Sequence, residues 1–224
     1  MRKISTLFER EFERHKVVGI SDKLTDPEFA RVLNGECRTT VKVDGSCCAI
    51  LGYFLHKRFD AKPGRKIPEE SIPCCDPDPI TEHWPHWVPV LDTNPGDKWF
   101  IEALKASDGY LGTTSAGSIF ANTSLKNGTY EAIGKHFNGN PYKLDNDILV
   151  KHGAVTINED LSSFDAIKNY LHDTPIEGIV FWDDNSKVTS IMGDIRSGIS
   201  KPICKIKRSD FGFKWPVNGA KYIL

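Results

Sequence analysis

The chain has 224 residues, 39% of them hydrophobic and 26% charged, with a formal net charge of −1. These values suit one globular domain, or two small ones, with a substantial core; they exclude a disordered tail, a fibrous repeat and a uniformly basic nucleic-acid coat. No stretch approaches the roughly 18 apolar residues of a membrane span, and the N-terminal run MRKISTLFEREFERH is charged throughout rather than leader-like.

In chain order, Phe8 and Phe12 stand four apart among Glu and Arg, which predicts one face of a short N-terminal helix. Asp26-Pro27 opens a second short helix, Asp as cap and Pro in the first turn, carrying Phe29, Val32 and Leu33 and ending at Asn34-Gly35. Residues 1–36 are thus read as an N-terminal helical segment. From Cys37 the run CRTTVKV is rich in β-branched residues, breaks at Asp44-Gly45 and resumes as CCAILGYFL. The simplest reading is a strand, a turn and a returning strand, with Lys42 at a strand end.

Residues 60–98 read as one long loop with short ordered pieces, since proline recurs at 63, 68, 73, 77, 79, 85, 89 and 95. Trp84, Trp87 and Trp99 are expected to tie it to the body, and His83 and His86 to pack within it. Later strands are predicted at WFIEAL, TYEAIG, ILVKHGAVTI, IEGIVFW and ICKIKR, and an amphipathic helix over 162–172 with Phe164, Ile167 and Leu171 on one face. The chain is therefore expected to be α+β with mostly antiparallel sheets, a single domain without a separating linker.

Charge is spread unevenly. The last 24 residues hold Lys201, Lys205, Lys207, Arg208, Lys214 and Lys221 against Asp210, and a second basic run is Lys57, Arg58, Lys62, Arg65 and Lys66. Such patches are usually solvated surface, but they can also hold a phosphate backbone or a nucleotide. The six cysteines include two adjacent pairs, Cys47-Cys48 and Cys74-Cys75, with no CxxC spacing. That argues against a disulfide framework and a zinc site, and for reduced thiols in a cytoplasmic or nuclear-type compartment rather than secretion.

Three segments carry chemistry together: Lys42-Val43-Asp44-Gly45, Glu177-Gly178-Ile179-Val180 and Lys205-Ile206-Lys207. Alone, each has a bland reading as a turn, a buried strand or a strand with one charged face. Together they hold what a lysine needs to attack phosphorus: a nucleophile, cations to neutralise phosphate, and a carboxylate for a divalent metal. Lys205 and Lys207, two apart on a strand, point the same way. Gly45 and Gly178 leave room for close backbone approach.

In this order the segments resemble motifs I, IV and V of the covalent nucleotidyltransferases, the superfamily of DNA ligases, RNA ligases and mRNA capping enzymes. Glu131 in TYEAIG and Arg58 in KRFD sit where that superfamily has a motif III carboxylate and a nucleotide-contacting arginine. KVDGSCC, NGNPYKL, HGAV, IEGIV and the run from Lys205 through FGFKWP are most similar to the small ATP-dependent 5′-to-3′ RNA ligases of vertebrates and their relatives. The resemblance covers residues 37 to 216. It implies an adenylation domain of antiparallel sheets flanked by helices, here without a C-terminal OB-fold, that joins RNA 5′-phosphate and 3′-hydroxyl ends.

The resemblance also implies roles. Lys42 attacks the α-phosphate of ATP to form a lysyl-AMP. Glu177 binds Mg²⁺ or Mn²⁺, and Lys205 and Lys207 neutralise the α-phosphate. Arg58 contacts ribose or phosphates, and Glu131 the ribose or a metal. Asp44 orders the turn or touches the nucleotide, Thr40 and the Val41 backbone are candidates for reading adenine, and His152 stands near the site. Position 47 is Cys, where DNA ligases and capping enzymes usually carry arginine. A DNA ligase or capping-type guanylyltransferase is therefore the second reading, and a nucleotide- or RNA-binding module without turnover the third.

Overall fold

The computed structural model describes residues 4–14, 16–122, 124–187 and 200–223, the side chains of residues 185–187, 200 and 201 excepted. Two compact units divide the chain, residues 45–151 in one and residues 4–44 with 152–224 in the other. The architecture is α+β, with mostly antiparallel strands and few helices.

The N-terminal residues are strands, not a helix: β1 (Ser5–Thr6), β2 (Phe8–Glu13) and β3 (Lys16–Leu24), with β2 and β3 forming an antiparallel ribbon. A spacing of four places Phe8 and Phe12 on one face of a helix, but equally on one face of a strand. The partner decides: Val17, Val18 and Ile20 favour the extended form and draw FEREFE into the ladder. Register shifts then separate the two rings, so Phe8 is fully buried while Phe12 is 61% exposed. The second predicted helix is present. The Asp26 carboxylate accepts from the N–H of Glu28 at 2.9 Å, and a 3-10 turn (Pro27–Phe29) runs into α1 (Ala30–Leu33). β4 (Arg38–Lys42) follows.

The 45–151 unit is built on β5 (Ser46–Leu51), β6 (Phe54–Ala61), β7 (Ile72–Pro73), β8 (Trp84–Pro89), β9 (Tyr110–Thr113), β10 (Ile119–Ala121), β11 (Gly128–Ile133) and β12 (Ile148–Lys151). The main path runs β12-β11-β5-β6-β10-β9, with β8 also on β6 and β7 on β8. Strand alternation sends Cys48 and Ile50 into one core, with Leu55, Leu104, Ile119 and Tyr130. Ala49 and Leu51 enter the other, with Cys74 and Trp87.

The loop expected over 60–98 is therefore partly sheet. Trp87 is 3% exposed and Trp84 donates its indole N–H to the carbonyl of Cys75 at 2.7 Å, so both tryptophans fasten this stretch as expected. His86 is buried as well. WFIEAL is not a strand but most of α2 (Lys98–Ala106). Its apolar residues Trp99, Phe100, Ala103 and Leu104 repeat as a helical stripe, and Asn94 caps the preceding turn at Pro95.

In the other unit Ser163 caps α3 (Phe164–Asp173), accepting from the N–H of Ala166 at 3.1 Å, and Ile167 and Leu171 are buried as predicted. β13 (Gly178–Lys187) and β14 (Ser200–Lys207) complete a four-stranded sheet in the order β1-β14-β13-β4. Thus β4 and β5 do not form the expected hairpin; they belong to different sheets. The strand predicted over ILVKHGAVTI is likewise divided. β12 stops at Lys151, Gly153 has φ 75°, and residues 155–157 join β4 through Val41 N–H to Val155 O and Ile157 N–H to Thr39 O, both 2.9 Å.

Arg208 belongs to the predicted basic cluster but is 7% exposed, and it serves the fold. Its guanidinium donates to the carbonyls of Leu171, Thr174 and Lys214, satisfying the end of α3. Burial lowers its pKa. Replacing it with an apolar side chain strands those acceptors. Arg208→Met is expected to cost about 1–3 kcal/mol per orphaned carbonyl, measured by urea denaturation, and an unchanged midpoint would refute this assignment.

Candidate active site

The site follows from the register of β4, β13 and β14. Gly178 lies opposite both Lys42 and Lys207, and Val180 opposite both Thr40 and Lys205. Directly opposed residues share a face, so Lys42, Lys205 and Lys207 emerge from the same side of the sheet. Gly178 separates two of them without a side chain. A Cβ there would stand 2.3 Å from the carbonyl oxygen of Ile206, so the position is closed to any other residue.

Glu177, just ahead of β13, turns its carboxylate to Lys42, Oε2 accepting from Nζ at 2.5 Å. It is 8% exposed. Burial holds its pKa above the ordinary carboxylate value; Lys42 and Lys207 pull it down and Asp44 pushes it up. The Lys205 amine moves the other way, pushed down to about 8 by burial and by the charges of Lys42, Lys207 and Arg10, with Glu177 in opposition.

Two supporting contacts had no signal in the sequence. The Asp210 carboxylate, 2% exposed, accepts from Arg10 Nε at 2.9 Å and from the backbone N–H of Lys207 at 2.8 Å, which fixes the end of β14. The Asp44 carboxylate accepts from the indole N–H of Trp215 at 2.8 Å. Both pairs lie far apart in sequence, where no spacing connects them.

The remaining predicted residues fall as follows. The Thr40 hydroxyl is fully buried, donates to Val180 O at 3.3 Å and accepts from Trp182 Nε1 at 2.7 Å. The Val41 N–H is taken by Val155. His152 is half-buried at the start of the segment that joins β4, beside Gly153, whose carbonyl accepts from Arg38 at 2.7 Å. The side chain of Lys201 lies outside the described residues.

Arg58 and Glu131 belong to the 45–151 unit, on β6 and β11, the two strands that flank β5. Glu131 lies opposite Cys47 on β5, and Arg58 lies opposite Trp87. Arg58 also acts on the Cys47 thiol, which burial, reinforced by Glu131, pushes up to about 12. The Cys at this position is thus a half-buried, protonated thiol. Arg58 donates to Asp60 at 2.8 Å. The other basic residues of its run are partly engaged too, Lys57 by the fully buried Asp97 and Lys66 by Glu69 at 3.3 Å.

A strand-end lysine against a buried carboxylate, with two further lysines on the same sheet face, is the arrangement that the resemblance to the covalent nucleotidyltransferases leads one to expect. The chain is similar to two curated vertebrate proteins named RNA ligase 1. That of Pongo abelii is 23% identical over an alignment of 267 residues, covering 93% of this chain and 77% of the relative. That of Danio rerio is 25% identical over 237 residues, covering 80% and 68%. No family model matches the chain. No helix among the described residues is long and apolar enough to cross a membrane.

The depressed Lys205 amine has a consequence for stability. Between pH 8 and its unfolded value near 10.5, the unfolded chain binds this proton and the folded chain does not, so the burden of burying the ammonium is present below pH 8 and lifts as the pH rises. Lys205→Met is therefore expected to raise the melting temperature at pH 7 and to lose that advantage toward pH 10. A gain independent of pH would contradict the assigned cause.

Proposed function

We propose that the protein is an ATP-dependent RNA ligase working through a lysyl-AMP. The observation that carries this reading is the Lys42–Glu177 pair, 2.5 Å apart on the sheet face shared with Lys205 and Lys207. The similarity to proteins named RNA ligase 1 supports the substrate class. Lys42 Nζ, as the neutral amine, attacks the α-phosphorus of ATP. The N–P bond forms, the bond from that phosphorus to the bridging oxygen breaks, and pyrophosphate leaves. Glu177 is placed to take the amine's proton. Lys205 and Lys207 offset the phosphate charge. An RNA 5′-phosphate oxygen then displaces Lys42 from AMP, and a 3′-hydroxyl displaces AMP to close the phosphodiester.

A divalent cation suits the carboxylate of Glu177, a hard oxygen donor that is buried and incompletely compensated. Mg²⁺ or Mn²⁺ held there would neutralise triphosphate charge. Asp44 orders the turn beyond Lys42, and His152 opens the segment that joins β4. Thr40 and the Val41 backbone, their hydroxyl and N–H already bonded, contribute to adenine recognition chiefly by shaping the strand. Arg58 and Glu131 carry the ribose, phosphate or metal contacts that the resemblance implies for them.

The test is incubation with α-labelled ATP and Mg²⁺ or Mn²⁺, followed by a denaturing gel. Acid-labile label is expected on the wild type, with none on Lys42→Ala and at least about tenfold less on Glu177→Gln; RNA with a 5′-phosphate should then release AMP. Label from GTP instead would indicate capping chemistry. Absence of label from either nucleotide, on protein freed of bound AMP, would leave a binding module.

A further inference from the structure

Both sides of the Lys42–Glu177 pair are held by one C-terminal segment. Beyond β14 the 3-10 turn Arg208–Phe211 ends at Gly212, φ 75°. The N–H of Arg208 donates to the Glu177 carbonyl at 2.9 Å, and that of Lys221 to the Pro175 carbonyl at 2.8 Å. With the guanidinium of Arg208 on the carbonyls of Leu171 and Thr174, these bonds fix the stretch that presents Glu177. Between the anchors, the half-buried Trp215 reaches the other side of the pair and donates to the Asp44 carboxylate at 2.8 Å. Asp44 follows Lys42 by two residues, beyond the last residue of β4.

An N–H on a carboxylate is a charge-assisted bond, stronger than one between neutral groups. Indole also has few rotamers to lose, so it orients its partner at small entropic cost. A bond of this kind to the residue two beyond a nucleophile sets the direction in which the nucleophile leaves its strand.

We propose that Trp215 is a positioning residue for Lys42, its indole N–H clamping Asp44 so that the lysine is presented to the α-phosphate. The inference rests on the ligase reading above. In it Trp215 touches no reacting atom. Its loss therefore lowers the rate of the chemical step and leaves nucleotide affinity alone.

The experiment compares full-length wild type, Trp215→Phe, Asp44→Ala and the double variant in the rate of lysyl-AMP formation across ATP concentrations, with thermal unfolding measured alongside. Trp215→Phe keeps an aromatic ring and loses the donor. It is expected to cut the rate at saturating ATP roughly tenfold, to leave the half-saturating ATP concentration unchanged, and to cost nothing further when Asp44 is already Ala. A folded Trp215→Phe with the wild-type rate would overturn the proposal, as would an equal loss in the Asp44→Ala background. Should Trp215→Phe not fold, the ¹⁵N–¹H indole resonance of Trp215 in wild type and Asp44→Ala decides. A shift with faster solvent exchange is expected, and an unmoved resonance removes the clamp. A wild type that takes no label from ATP defeats the ligase reading and this inference together, whereas a defect confined to the Trp215 results defeats this inference alone.

Discussion

The arrangement of the site depends on the register of three antiparallel strands. With Gly178 opposite both Lys42 and Lys207, and Val180 opposite Lys205, one face of one sheet must carry three ammonium groups. A slip of one residue on β14 would send Lys205 and Lys207 to the apolar side now filled by Ile206 and Cys204, which are fully buried. Apolar residues therefore enforce the register, and the register delivers the cations. The absent side chain at Gly178 completes the device, because the Ile206 carbonyl occupies the space a Cβ would need.

That dependence explains which parts were legible in the sequence. Lys205 and Lys207 could be placed on one face because strand periodicity fixes facing from spacing alone, whereas Lys42 and Glu177 were joined to them by the chemistry of the three segments and the resemblance they carry. Gly178 signalled close approach because it has no side chain, and Gly45 does too: a Cβ there would lie 2.3 Å from the Ala132 carbonyl oxygen. Asp44-Gly45 looked like a hairpin turn, yet Gly45 is required by crowding against β11, and the flanking strands enter different sheets. Composition signals glycine without saying which of its two uses applies. The Phe164, Ile167, Leu171 stripe made α3 plain, whereas α2 carries three consecutive apolar residues, Trp99, Phe100 and Ile101, that read as readily as a strand.

What was not legible depends on partners distant in the chain. Arg10 and Asp210, Trp215 and Asp44, and Arg208 with the end of α3 each join segments between which no local pattern runs. The C-terminal basic run shows the effect on a functional reading. Counted as charge it was one patch. Folded, Arg208 caps a helix, the Lys207 backbone leans on Asp210, and Lys205 and Lys207 supply cations to the sheet face.

Electrostatics separates a site from a mere structural ion pair here. A buried pair adds little to stability, because desolvation cancels most of the attraction, and apolar replacement is often neutral or better. If Lys42 and Glu177 served the fold alone, nothing would favour adding Lys205 and Lys207 to the same face, where each cation burdens the others. Lys205 bears that burden as an amine pushed down to about 8. Glu177 remains above its ordinary value despite a lysine at 2.5 Å. The cations are crowded and the carboxylate is under-compensated at the same sheet end, so a ligand bearing several negative charges, accompanied by a divalent cation, relieves both. The nucleoside triphosphate of the proposed reaction has that composition.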